Sequence, residues 1–417
     1  MEKGTDGPGN GPARRWAMLA VFLAPFYILV NYYLFRRITG WIGVWFPAFT
    51  LRRHYPVPTI VYGFFALSLL IAFFLPQGGA RRVMKEIGNY WLGVLLYLLL
   101  TVVFADLLRL LLMHGLHLGA HFASPWVHRL AGCACAAAIL AATVGGVWNA
   151  RVIHVTPYDI SVDKTAGELT ELKVVLLADF HLGYNIGEAQ MQRMVERVNE
   201  QDADLVVIAG DIFDNEFEAV ENPDKIAAVL RGIRSKYGVY ACYGNHDVEE
   251  PVLAGFTFRS EEEKRSSPEM DAFLEQSGIR LLRDETVLID DAFYLCGRAD
   301  AQRPGRGIET RKTPKELTEG LDHTKPILVL DHQPRELEEL AAAGVDVDFG
   351  GHTHDGQMFP GNLTVRLFWE NPCGHLQKGA MHSIVTSGVG LFGPNMRVAT
   401  RAEICPVTIH FQEKTEK

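Results

Sequence analysis

Hydrophobic residues follow two different patterns along this chain. Over roughly the first third they gather in four long runs with no polar stripe, Trp16–Phe35, Val57–Leu75, Trp91–Met113 and Val127–Trp148. A helix rises about 1.5 Å per residue, so roughly 20 residues cross a hydrocarbon core of about 30 Å. The runs meet that length and predict an all-α transmembrane region of about four helices over residues 16–150. A soluble helical domain would show a polar face, and these runs show none. The first run lacks a small-x-small cleavage site and is followed by others, which argues against a cleaved signal.

Beyond residue 150 the runs become short. Residues 151–171 form a polar connector with β-like alternation, and residues 172–417 then alternate strand and helix. Strands are predicted at Lys173–Ala178, Asp204–Ala209, Val239–Tyr243 and Ile327–Leu330. Helices are predicted at Gly187–Asn199, Asp224–Lys236, Pro268–Gln276 and Arg335–Ala343. Alternating units of this kind indicate an α/β layered fold. Ligands in open α/β sheets bind beyond the strand ends.

Composition separates the same two parts. The 417 residues carry a net charge of −9, yet residues 1–150 hold an excess of basic residues and the remainder is strongly acidic. An acidic C-terminal part argues against nucleic acid as a partner, because phosphate counterions are displaced by clustered cations. Residues 1–15, rich in Gly and charge, read as a disordered tail. The Lys and Arg residues flanking the apolar runs slightly favour both termini, and with them the C-terminal domain, on the cytoplasmic side of a multi-pass protein. The six cysteines form no CxxC and no disulfide framework.

The chemistry lies in six blocks: LADFHLG (177–183), GDIFD (210–214), YGNHD (243–247), LDHQP (330–334), GGHTHDGQ (350–357) and VTSGVGLFGP (385–394). The first five place carboxylates, an asparagine amide and imidazoles where apolar strands end. Asp179 and His181 are two apart, so they can converge on one ion, and Asp211 has two oxygens with which to bridge two. Asn245, His246 and Asp247 follow the third strand, His332 ends the fourth, and His352 and His354 follow two glycines. A lone histidine at an apolar edge is usually a core residue. Five of them in successive strand-end loops indicate a composite metal site.

In that order, D-x-H, GD, GNHD, H and GHTH resemble the calcineurin-like metallophosphoesterases over about residues 172–410. GGHTHDGQ and VTSGVGLFGPNMR are most similar to a membrane-associated bacterial branch related to enzymes that cleave UDP-2,3-diacylglucosamine. The resemblance implies a four-layer α-β-β-α sandwich and two divalent cations. One would be held by Asp179, His181, Asp211 and His354, the other by Asp211, Asn245, His332 and His352. It further implies that His246 faces the phosphoryl group, oriented by Asp247, and that a hydroxide bridging the metals attacks in line. Mixed imidazole and carboxylate donors suit Mn, Fe or Zn. Asp355 and Ala178 depart from the common Gly and Ser at their positions and remove no ligand.

These readings point to a membrane-bound phosphodiesterase or phosphatase acting on a phosphorylated small molecule or lipid. The rivals are a transporter or sensor with an appended regulatory or inactive phosphoesterase domain. Asp106 and Arg109, three apart in the third apolar run and followed by His114, His117 and His121, support the first rival unless the two charges neutralise each other. Arg298, Arg303 and Arg306, in a Gly/Pro-containing loop, are candidates for a second phosphate contact or a plain solvated loop.

Overall fold

A computed structural model describes residues 12–47, 56–117, 119, 124–249, 252–253, 256–257, 267–301 and 311–413. The chain divides into two compact units. One comprises Met1–Gly146, Pro251–Glu263 and Gly393–Asn395; the other comprises Val147–Glu250, Lys264–Phe392 and Met396–Lys417.

Fifteen strands are found among the described residues. They begin with β1 (Ile153–Val155), β2 (Tyr158–Val162), β3 (Glu171–Leu177), β4 (Leu205–Ala209) and β5 (Val239–Cys242). The hairpin of β6 (Val252–Leu253) and β7 (Phe256–Thr257) is assigned to the other unit. Next come β8 (Ile279–Leu281), β9 (Glu285–Ile289), β10 (Phe293–Gly297), β11 (Ile327–Leu330) and β12 (Val347–Gly350). β13 (Gly374–Lys378), β14 (Met381–Val385) and β15 (Ala402–Phe411) complete the series.

These strands build two sheets. The first has the order β1-β15-β3-β4-β5-β8, with β2 also paired to β15, and the second has the order β13-β14-β12-β11-β10-β9. Alternation along the strands explains how they stack. Leu172, Val174, Leu176, Leu205 and Val207 share one buried cluster with Leu295, Leu328, Leu330, Phe349 and Ile384, so the sheets pack face to face. The opposite residues of the first sheet, Val175, Leu177, Val206 and Ile208, bury against Met191, Met194, Ile226 and Phe273 of its covering helices. Ile327 and Val329 bury against Leu337 and Leu340 on the far side of the second sheet. The result is the four-layer α-β-β-α sandwich that the family resemblance implied.

Two elements differ from expectation. The connector supplies β1 and β2, whose pairing partner β15 lies some 250 residues away. The helix expected over Asp224–Lys236 spans Pro223–Leu230, and Gly232 stands just past its C-cap Arg231, a residue costly inside a helix.

In the other unit, Pro12–Trp45 is one helix containing the first apolar run. Gly79–Gly115 and Pro125–Asn149 are long and apolar enough to cross a membrane. Pro56–Ala66 and Ser68–Phe74, bent by 60°, would together make a third such span. Asp106 does not rely on Arg109 three residues on. Its carboxylate pairs with Arg37 and accepts a hydrogen bond from Tyr33 of the first helix. Of the histidines beyond it, His114 and His117 are exposed, and His121 lies outside the described residues.

Arg298 likewise departs from expectation. It is buried, pairs with Asp331 at 2.6 Å and Glu336 at 3.0 Å, and donates to the Lys312 carbonyl. It is a structural cation inside the second sheet's loops rather than a phosphate contact, and Arg311 shares its acidic partners. Arg303 and Arg306 lie outside the described residues.

Asp348 on β12 is fully buried; one oxygen accepts from Ser383 at 2.9 Å, and the other has no partner among the described residues. Burial, and then the neighbouring Asp331 carboxylate, push its pKa up to about 7. A carboxyl raised in the folded state is tolerated while protonated, and its contribution is lost as pH rises from about 4 through about 7. Asp348→Asn should flatten that decline, leaving the variant about 1–3 kcal/mol more stable relative to the parent at pH 8 than at pH 4. Denaturant melts at the two pH values check this, and parallel profiles for the two proteins would refute it.

Candidate metal centre

The candidate ligands all lie just beyond the carboxyl ends of parallel strands. Asp179 and His181 follow β3, Asp211 follows β4 and Asn245 follows β5, and these three strands are neighbours in parallel register. His332 follows β11 and His352 and His354 follow β12, a parallel pair in the other sheet. Face-to-face packing therefore brings two sheet edges to one point.

The loops there adopt unusual backbone conformations. Asp179, His181, Asp211, His352 and His354 have φ between 48° and 73°, a region that costs non-glycine residues about 1–3 kcal/mol each and concentrates at functional sites. Cross-loop hydrogen bonds hold them: Asp179 N donates to the Gly210 carbonyl, His181 N to Asp211, and Gly390 N to Asp179. Two glycines give the carboxylates room. A Cβ on Gly244 would collide with the Asp211 carboxylate, and one on Gly351 with that of Asp179.

The side chains form two adjacent nests. In the first, His354 Nε2 lies 3.4 Å from Asp179 Oδ1 and 3.0 Å from His181 Nε2. In the second, His332 Nε2 lies 3.1 Å from Asp211 Oδ2, 3.2 Å from Asn245 Oδ1 and 3.2 Å from His352 Nδ1. Asp211 Oδ2 also lies 3.7 Å from His181 Nε2. One carboxylate thus faces both nests. All seven expected ligands are brought together, and Asp179, His181, Asp211 and His332 are at most 1% exposed.

Electrostatics test whether cations fit. Burial pushes Asp179 up to about 6, with the Asp211 carboxylate adding to the rise. Asp211 is also penalised by burial, but the His332 and His246 imidazoles hold it well below the usual range. Burial opposes a charge on His332, yet Asp211 draws its pKa up to about 10. A proton on an imidazole is the only positive charge these buried carboxylates can recruit from their own ligand set. Burial keeps His352 and His354 neutral, with His332 and His181 as their strongest charge neighbours. Metal ligation requires neutral imidazoles beside anionic carboxylates, the states His352, His354 and Asp211 already favour and that His332 would reach by giving up its proton to an incoming cation. His332 Nδ1 donates to the Ala209 carbonyl at 2.7 Å, which leaves Nε2 as the donor toward the nest. The residues present fit divalent cations.

His246 borders the nests with its ring 4.5 Å from Phe392 and 5.2 Å from His181. Asp247 is the residue expected to orient it; Asn215 also reaches the ring, its Oδ1 meeting His246 Nδ1. Asn215 Nδ2 donates to the Val248 carbonyl, fixing which way the amide points. The Asp247 carboxylate accepts from the backbone N–H of Asp211 at 2.9 Å, Phe213 at 2.8 Å and Gly244 at 2.6 Å. An oxygen acceptor anchored by three backbone donors organises the loop carrying Asp211.

Sequence reasoning passed over Asn215, and also Asp214, which lies 3.6 Å from His181 Nδ1. Both stand in or beside GDIFD, where a second carboxylate and an amide three and four residues after the ligand were the available signal. Asp355, the departure from the common Gly, faces Arg366 at 4.0 Å rather than the nests.

Comparison with known proteins agrees with this geometry. Residues 172–356 match the calcineurin-like phosphoesterase family. An uncharacterized metallophosphoesterase of Aquifex aeolicus is 30% identical over 266 residues, covering 61% of this chain and 94% of that protein. A transmembrane protein with metallophosphoesterase domain from Danio rerio is 33% identical over 280 residues, 64% of this chain and 60% of its own length. UDP-2,3-diacylglucosamine pyrophosphatase LpxG of Chlamydia trachomatis is 23% identical over 262 residues, covering 53% of this chain and 77% of that protein. The match thus spans about three fifths of the Danio rerio relative and nearly all of the Aquifex one. With its sheet-edge ligands, its four layers and its near full-length match to a metallophosphoesterase, the chain belongs to the calcineurin-like phosphoesterase family.

Proposed function

We propose that this chain is a membrane-bound phosphoesterase that uses two divalent cations to hydrolyse phosphodiester or diphosphate bonds of a lipid or nucleotide-lipid substrate. The observation that carries the reading is the Asp211 carboxylate facing two separate nests of imidazoles and carboxylates. Asp179, His181, Asp211 and His354 would hold one ion; Asp211, Asn245, His332 and His352 would hold the other. Mn, Fe or Zn suits these donors, and bound ions would neutralise phosphoryl oxygens and acidify a water.

The chain's own groups supply the remainder. Asn215 holds the His246 proton on Nδ1, which leaves Nε2 as the atom that carries the exchangeable proton. A protonated Nε2 stabilises charge developing on the phosphoryl group or protonates the leaving oxygen. Asp247 keeps the Asp211 loop in its left-handed conformation through three backbone hydrogen bonds. Phe392, packed on His246, keeps bulk water from that side of the ring.

A multi-pass anchor over residues 16–150, with the sandwich on the cytoplasmic side, would place this chemistry near lipid headgroups. The Chlamydia relative's name, a pyrophosphatase for a nucleotide-linked lipid, favours the same substrate class. A second reading, a transporter with an appended enzyme, draws on a cavity of about 590 Å³ in the helical unit, bordered by Arg37, Asp106, Arg109 and His128. Under it, Asp106→Ala would abolish transport and leave hydrolysis intact; under the first reading no transport is found.

Detergent-purified protein should cleave bis(p-nitrophenyl) phosphate when Mn²⁺ is added and not when metal-free. Asp211→Asn should lower turnover at least about a hundredfold, because one change weakens both sites. Mn-independent turnover, or an active Asp211→Asn enzyme, would refute the proposal.

Two further variants separate holding metal from moving protons. Asp247→Asn should lower metal affinity about 10–100-fold by turning an N–H donor toward backbone donors, as read by metal content after dialysis. Asn215→Ala should keep its metal, lower kcat about 10–100-fold and shift the pH profile. Metal loss in Asn215→Ala instead would move that residue into the ligand scaffold.

A further inference from the structure

The segment Met358–Trp369, between the last ligand block and β13, reads MFPGNLTVRLFW. Seven large apolar side chains are exposed among the described residues of the sandwich unit, and four lie here: Phe359 at 43%, Leu363 at 57%, Leu367 at 79% and Phe368 at 80%. Soluble surfaces scatter such residues singly; a cluster marks an interaction site. Leu363 and Leu367, four apart across the Gly361–Thr364 and Val365–Leu367 helical turns, fall on one side.

This is a built platform. Gly361 packs so tightly on Gly356 that a Cβ on either would strike the other's backbone. Phe359 N donates to the Val398 carbonyl at 2.9 Å, and Gly361 N to Met358 at 2.6 Å. At its far end Trp369 packs edge-on to the ligand His352, ring centroids 5.0 Å apart, and Arg335 lies 4.6 Å above the indole. Arg366, between Leu363 and Leu367 in the chain, keeps its side chain 62% exposed while approaching Asp355 at 4.0 Å. The apolar tip therefore faces outward on a base that touches the metal nest.

We infer that Phe359, Leu363, Leu367 and Phe368 insert into the headgroup and acyl boundary of a bilayer, so that the metal centre docks on a lipid surface. Helices long enough to cross a membrane in the same chain put a bilayer within reach. Arg366 in the same segment suits anionic headgroups, and Phe and Leu beside a basic residue form the composition of an interfacial anchor. The insertion needs no assumption about the reaction; only its catalytic consequence rests on the phosphoesterase proposal.

The test uses the full-length protein in phosphatidylcholine/phosphatidylglycerol vesicles, with Cys133, Cys135 and Cys373 replaced by Ala. A bimane is attached at Leu367→Cys, or at Asp291→Cys on the opposite sheet edge, where the native side chain is 86% exposed. Doxyl-labelled lipid should quench the label at 367 at least about twofold and leave that at 291 unchanged. Equal response at both positions overturns the inference.

In parallel, Leu367→Asp/Phe368→Asp should hydrolyse bis(p-nitrophenyl) phosphate within about twofold of the parent, yet lose at least about tenfold on a vesicle-embedded p-nitrophenyl phosphodiester of diacylglycerol. An equal loss with that lipid ester monodisperse in detergent, without quenching at 367, would make the segment a clamp for substrate tails and overturn bilayer docking. If the parent cleaves neither ester, the phosphoesterase proposal fails while the quenching result still decides insertion.

Discussion

Two carboxylates, Asp179 and Asp211, are buried side by side at the meeting point of two sheets, and the rest of the sandwich is arranged around tolerating them. Among the described residues, neither is paired with Lys or Arg. They are held by backbone N–H groups, His352 N on Asp179 and His246 N on Asp211, and by imidazoles close enough to share or lose a proton. Buried anions so placed are costly without a cation. That cost explains the left-handed loops and the close glycines. Each holds an oxygen where a cation can reach it and where relaxation toward solvent is blocked. Parallel strands supply the frame, because β3, β4 and β5 in one sheet and β11 and β12 in the other all deliver their loops to the same edge.

Much of this was legible in the chain because it is local. Asp179, Asp211 and His332 announce themselves as polar residues ending apolar runs, and their order and types carry the metal chemistry. The predicted strands at 173, 204, 239 and 327 match β3, β4, β5 and β11 closely, since each is a continuous run buried on both faces. β1 and β2 were invisible as sheet members. Their partner β15 stands at the other end of the chain, and nothing in a polar alternating stretch names a partner.

What the sequence could not supply was the choice among neighbours. Asp247 adjoins His246 in the chain, so pairing them was the economical expectation. The carboxylate accepts from three backbone N–H donors, and the imidazole meets Asn215, thirty-one residues away in the chain. Arg298 and Asp106 teach the same lesson. Adjacency suggested a solvated loop and an i, i+3 pair, whereas the fold selected Asp331 and Arg37. A charged group entering a low-dielectric region takes the partner that geometry offers, and proximity in sequence has little weight in that choice.

An acidic domain meeting a phosphorylated substrate faces an electrostatic barrier of its own. The residues beyond 150 carry excess negative charge, which disfavours approach of any phosphate from bulk solvent. Two local features oppose that field. Cations in the nests would invert the potential over a few ångströms, since a bound divalent ion is the largest charge nearby. The Phe359–Phe368 tip replaces long-range attraction by apolar contact, which ionic strength hardly screens. Because Trp369 joins that tip to His352, the surface that would meet lipid and the ligands that would meet phosphate belong to one packed unit. A substrate with an apolar body and a phosphorylated head satisfies both parts together, whereas a free phosphate ester satisfies only one.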